Sequence, residues 1–240
     1  MTTLTLGRTG LAITKDVLDA PPLRRASAED AARMIGKALD AGINLIDAGP
    51  RADGEEALAA ALARRRKEFF LATKTKAINP SAFWKDLDAS LRALNTDCID
   101  IYQIHEPSFI PRPEDGSGLY EAMQMAQHQG KLRFLGVACE SLVLARETVE
   151  SGLYDTLQFA FDRLSRERLF ELAACCADNA VGFMAANAAH DAPLTDVCAE
   201  RAFMAGFANA ARVWSLRRAE ELDMLIDAMR RPAESNDGRS

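Results

Sequence analysis

The chain has 240 residues, 48% of them hydrophobic and 27% charged, a composition that excludes disordered, collagenous and coiled-coil proteins. Lys plus Arg number 29 against 35 Asp plus Glu, and the formal net charge of −6 argues against a sequence-independent nucleic-acid binder, whose affinity rests on a basic surface. Five cysteines without a C-x-x-C pair, and only three histidines, suggest neither a disulfide framework nor a zinc site.

No apolar run approaches the ~20 residues that span a bilayer. The N-terminal stretch MTTLTLGRTGLAITKD lacks the apolar core of a signal peptide, so the expected location is the cytoplasm, with no membrane partner.

In chain order, a weak strand at Asp16–Leu18 is followed by a helix that opens on Ser27 with Glu29 and Asp30 in its first turn, a capping signal, and that Gly42 stops. A strand at Ile43–Asp47 leads to a helix over Gly54–Lys67, whose Arg64–Lys67 run reads as a solvated helix end. The pattern continues as strand Phe69–Lys74, helix Ser81–Leu94, strand Cys98–His105, a helix holding Tyr120 and Met123 that ends at Gly130, and strand Leu132–Val137. Helices near Ser141–Ser151 and Arg166–Asp178 then alternate with strands Thr156–Phe161 and Val181–Ala185, and a last strand falls at Ala210–Val213.

The strands are continuous apolar runs separated by helical stretches, which predicts a parallel sheet covered by helices. Eight strands in a chain near the ~250 residues typical of a (β/α)8 TIM barrel favour the closed barrel over an open doubly wound sheet. One domain is expected over residues 1–231, with a disordered tail from Pro232 to Ser240.

Reactive groups of such a barrel stand at the C-terminal strand ends, and alternation along a strand tells which end residues face the mouth. Ile43, Leu45 and Asp47 share a face, as do Phe70, Ala72 and Lys74 on the next strand and Ile101, Gln103 and His105 on the one after. An aspartate, a lysine and a histidine at three consecutive strand ends form a candidate acid–base set. Glu106, Glu140 and Asp162 follow the fourth to sixth strands and give the rim an acidic character, His190 and Asp191 follow the seventh, and Cys139 ends the fifth.

These residues lie in segments that resemble the aldo-keto reductase family along nearly the whole chain: LGRTGLAIT, ALDAGINLIDAGPRADGEEALAAAL, FFLATKTK, SLRALNTDCIDIYQIHEP, GKLRFLGVACES and SLRRAEEL. The resemblance implies the same barrel and hydride transfer from NADPH to a small-molecule carbonyl substrate through an Asp, Tyr, Lys and His tetrad. Position by position it places the aspartate at Asp47, the lysine at Lys74 and the histidine at His105. The tyrosine, five residues after the aspartate, is replaced by Ala52.

On the cofactor side, Gln158 matches a carboxamide contact of the nicotinamide. Arg217 falls where the family often has a phosphate-binding arginine, and Ser215 where it usually has glycine. Ala138 and Cys139 stand in place of a Ser-Asn pair, no aromatic residue follows the seventh strand to stack on the nicotinamide, and the loop after that strand is shortened. Three readings therefore stay open: an NADPH-dependent carbonyl reductase with His105 as the acid, a lyase or isomerase that uses Asp47, Lys74 and His105 with no cofactor, and a barrel that has no catalytic role.

Overall fold

The computed structural model describes residues 2–50, 55–187 and 196–230. Ala52, His190, Asp191 and the tail from Pro232 lie outside them. Ten strands and eight α-helices of 9 to 14 residues follow in order among the described residues. Strands β1 (Thr3–Thr5) and β2 (Ala12–Thr14) form a short antiparallel hairpin. The barrel proper then runs β3 (Asp16–Asp19), α1 (Ala28–Asp40), β4 (Leu45–Pro50), α2 (Glu55–Ala63), β5 (Phe70–Thr75), α3 (Pro80–Ala93), β6 (Ile99–His105) and α4 (Leu119–His128). It continues with β7 (Leu132–Cys139), α5 (Leu142–Glu150), β8 (Thr156–Ala160), α6 (Arg166–Asp178), β9 (Gly182–Ala186), α7 (Val197–Ala205), β10 (Ala210–Ser215) and α8 (Ala219–Arg230).

The eight parallel strands β3 to β10 close on each other, β10 pairing with β3, and this is the (β/α)8 barrel that the alternation of elements predicts. Helix starts follow local chemistry. The Ser27 Oγ accepts the Asp30 N–H at 3.0 Å, and Asn79 accepts the Ala82 N–H at 2.9 Å with Pro80 in the first helical turn.

Two apolar cores result from the strand alternation. Outward residues such as Leu71, Tyr102 and Leu157 pack under the helices. Inward residues, among them Val17, Leu45, Ala72, Ile101, Met184 and Val213, fill the barrel. Leu6, Leu11 and Ile13 of the hairpin join this inner core, so the hairpin plugs the end of the barrel opposite the strand C-termini. The plug sits close: a Cβ on Gly7 (φ +51°) would lie 2.2 Å from the Gly182 backbone nitrogen.

Two readings of the sequence change. The hairpin is an addition, its three-residue strands being too short to register as an apolar pattern. Helix α2 ends at Ala63, and the run that follows is only partly solvated. Arg66 donates to the buried Asp100 carboxylate at 2.8 Å and to the Cys98 carbonyl at 2.9 Å, while Arg65 bridges Asp40 and Glu68. These arginines tie α1, β5 and β6 together at the base of the barrel.

Candidate active site

The turn that follows Asp47 decides how its carboxylate is presented. The register between β4 and β5 shifts after Asp47, a bulge. Gly49 takes φ +66° in it, and its N–H donates to Asp47 Oδ1 at 2.8 Å. The Thr73 hydroxyl pins the Gly49 carbonyl at 2.6 Å, and a Cβ on Gly49 would meet Pro21 at 2.4 Å. Only glycine satisfies both the backbone angle and the space.

Lys74 Nζ forms a hydrogen-bonded ion pair with Asp47 Oδ2, inside the barrel, the two side chains being 3% and 0% exposed. Gln158 also hydrogen-bonds Asp47. Burial alone pushes the Asp47 carboxyl up, but the Lys74 charge, its hydrogen bond and the Gly49 N–H together hold it below the ordinary aspartate range. Asp47 therefore stays ionised, locked to a cation at the strand ends.

Asp19 was not part of the expected set. It is fully buried at the end of β3, the register partner of Asp47, and its Oδ2 accepts the Ser215 hydroxyl at 2.6 Å. Its signal was present in the sequence: Val17 and Asp19 repeat the alternation of Leu45 and Asp47, one strand earlier. The mouth thus holds two carboxylates side by side, one tied to a lysine and one to a serine.

His105 ends β6, half-buried, and lines a pocket of about 150 Å³ between the segments leaving β5 and β6. Glu106, which follows it, adopts φ +48° and donates its N–H to the Ala138 carbonyl at 2.8 Å. Partial burial and the nearby Glu140 raise the Glu106 carboxyl above the usual glutamate range, with Lys76 acting in the opposite sense.

Ala138 faces the interior beside Gln158, its register partner, whereas Cys139 faces the helices in the outer core. Burial and the Glu106 carboxylate push the Cys139 thiol up to about 12, so it is an inert packing residue rather than a thiolate nucleophile. Of the tyrosines, Tyr102 packs edge-on against Phe83 outside the barrel, and Tyr154 donates to the Pro111 carbonyl at 2.7 Å. Neither reaches the mouth as a proton donor.

The cofactor positions divide in two. The Oε1 of Gln158 is buried with no hydrogen-bond partner among the described residues, an acceptor suited to the carboxamide NH2 of a nicotinamide. At the α8 N-terminus, Arg217 and Arg218 present their N–H groups at 2.7 and 3.3 Å to Glu221 Oε2, so an internal carboxylate already takes the place a phosphate would use. Ser215 is committed to Asp19. The residues present therefore fit a nicotinamide at Gln158, while at α8 Glu221 holds both backbone N–H groups and pairs with the Arg218 guanidinium at 3.2 Å, so this terminus is a poor fit to phosphate.

No group of three or more His, Cys, Asp or Glu among the described residues is placed to hold a metal ion, and no described helix is long and apolar enough to cross a membrane.

The sequence model of the aldo/keto reductase family matches residues 4–203. The NADH-specific methylglyoxal reductase of Escherichia coli is 30% identical over 158 residues, 64% of this chain and 46% of that protein. The 6-dehydroglucose reductase of Novosphingobium aromaticivorans is 33% identical over 128 residues, 45% of this chain and 41% of that protein. The matches thus span less than half the length of these curated relatives.

Among solved structures, an aldo-keto reductase of Bacillus halodurans in its holo form superposes with a TM-score of 0.79 at 17% identity, covering 98% of this chain and 93% of the other. One of Klebsiella pneumoniae in complex with NADP and acetate gives 0.74 at 20% identity, covering 95% and 89%. At these identities the structures establish the fold.

Proposed function

This chain belongs to the aldo/keto reductase family, and we propose that it is an NADPH-dependent oxidoreductase that reduces a small aldehyde or ketone, with His105 as the proton donor in place of the tyrosine that Ala52 replaces. The observation that carries the reading is the Asp47–Lys74 pair sealed in the barrel mouth, with Gln158 holding Asp47 through one end of its amide and keeping the other as a buried acceptor.

A nicotinamide held at the buried Gln158 acceptor would supply hydride chemistry for the carbonyl carbon. The chain's own groups then serve the oxygen. The Lys74 ammonium donates one N–H hydrogen bond to Asp47 and has two more N–H groups to direct toward negative charge that develops at the mouth. Gln158 and the Gly49 turn keep Asp47 in place, and so keep Lys74 in place. His105 as imidazolium transfers its proton to the nascent alkoxide, leaving a neutral imidazole that solvent reprotonates at the half-buried strand end.

The cofactor-free reading needs Lys74 as a base or as an amine that attacks a carbonyl. An ammonium committed to a buried carboxylate is poorly placed for either role, so the reductase reading is preferred.

The test is aldehyde-dependent oxidation of NADPH, and separately of NADH, by the purified protein and by His105→Gln. The reading expects turnover that falls about a hundredfold or more in the variant. Full turnover in His105→Gln would remove the histidine from its role.

A further inference from the structure

The pocket beside His105 has a composition of its own. Its floor is apolar and buried: Ala77, Ile104, Pro107, Pro111 and Leu119. Ile104 belongs to the outer core, so this pocket lies outside the ring of inward-facing residues, next to the mouth that holds Asp47 and Lys74. His105 stands between the two, sharing the inward alternation of Ile101 on one side and lining the pocket on the other.

Size limits what enters. A cavity of about 150 Å³ has room for a molecule about as large as benzene, well below the sites of 300–1,000 Å³ that hold drug-sized ligands. Charge limits it further. The rim carries Lys76 and Glu106, and Glu140 lies close enough to Glu106 to perturb it, so one ammonium faces two carboxylates. The Glu106 backbone is held by its N–H bond to the Ala138 carbonyl, and its carboxylate accepts a backbone hydrogen bond from Glu140.

Resting on the reductase reading, we propose that this pocket is the subsite for the substrate's tail: an uncharged chain of about four to six non-hydrogen atoms, with Glu106 rejecting tails that carry a carboxylate. The carbonyl then lies on the mouth side of His105, and the tail on the apolar side. Ile78 and Phe109, both exposed, extend the apolar lip toward solvent.

Butyramide and butyrate have the same shape and differ in charge, and they bind without needing turnover. Titrated into 15N-labelled protein, butyramide is expected to shift the backbone amides of Ala77, Glu106 and Leu119. It should bind at least about fivefold more tightly than butyrate, the discrimination that one half-exposed charge supplies. Glu106→Gln should bring the two probes to within about twofold.

Butyrate binding as tightly as butyramide, shifts confined to other residues, or a preference unchanged by Glu106→Gln would each overturn the assignment. Turnover separates this inference from the reading beneath it. Reduction of a large aromatic aldehyde in clear preference to butanal would overturn the pocket assignment and leave the reductase standing. Butyramide binding with no aldehyde reduction at all would keep the pocket and overturn the reductase.

Discussion

Lys74 on β5 and Arg212 on β10 are both cations with only 2–3% of their side chains exposed, each paired with a carboxylate, and they have opposite positions in the barrel. Arg212 points outward. Its guanidinium donates to Glu200 at 2.8 Å and to Asn187 Oδ1 at 2.9 Å, and lies 4.7 Å from the centres of both the Phe161 and Trp214 rings. It fastens α7 to the sheet, and burial holds its pKa below the ordinary arginine range. Lys74 points inward and has Asp47 as its carboxylate partner, with donors to spare. Burial alone does not distinguish the cation of the proposed active site from a scaffold cation. The face of the strand and the hydrogen bonds already satisfied do.

The largest expected effect follows from removing the inward cation. Lys74→Met leaves a fully buried carboxylate without its partner, which costs about 3–5 kcal/mol of stability, and carbonyl reduction should fall by about a thousandfold. Arg212→Met should be milder, about 2 kcal/mol in urea unfolding, because Glu200 is 24% exposed and rehydrates. Its turnover per folded molecule should stay within about threefold. A turnover loss in Arg212→Met as deep as that of Lys74→Met would break the distinction.

The acid limb of stability sharpens it. Asp47 is held below its unfolded pKa, so it stabilises the fold at neutral pH, and that contribution is lost as pH falls from about 4 through the lower folded value. Glu106 is raised, so its ionisation costs stability as pH rises from about 4 through the folded pKa. Thermal melts should therefore show Asp47→Asn less stable than the parent at pH 7, with the gap narrowing toward pH 3. Glu106→Gln should be more stable by about 1–2 °C at pH 7, a difference that disappears below pH 4. Parallel pH dependences for the two variants would contradict both assignments.

Smaller effects are expected at Ser215 and the cysteines. Ser215→Ala removes a hydrogen bond to the buried Asp19 and should cost about 1–2 kcal/mol in denaturant unfolding. Iodoacetamide at pH 8 should label the exposed Cys198 and leave Cys139 unmodified in the folded protein. Rapid labelling of Cys139 would show that the rim beside Glu106 is open.

Strand alternation made much of this legible in advance. Buried runs with a polar residue at the end of the same face located Asp47, Lys74 and His105, and the structure brings the first two into contact while His105 ends the neighbouring strand. Asp19 escaped because a weak four-residue strand gives one repeat of the pattern, too little to separate from a turn. Gly49 escaped because its left-handed backbone and its contact with Pro21 depend on a bulge that no periodicity announces. Glu221 was hidden for a similar reason: an acidic residue in the first turn of a helix is ordinary, and only the fold places it over the Arg217 and Arg218 amides where a phosphate was expected.

The most direct test of the central claim is equilibrium binding of NADPH and NADH, followed through quenching of Trp84 and Trp214 fluorescence, in the parent protein and in Gln158→Leu. The account expects micromolar binding of a nicotinamide dinucleotide by the parent, and about tenfold weaker binding once the buried amide acceptor is removed. Absence of binding by the parent up to about 1 mM, or binding that ignores Gln158, would contradict it.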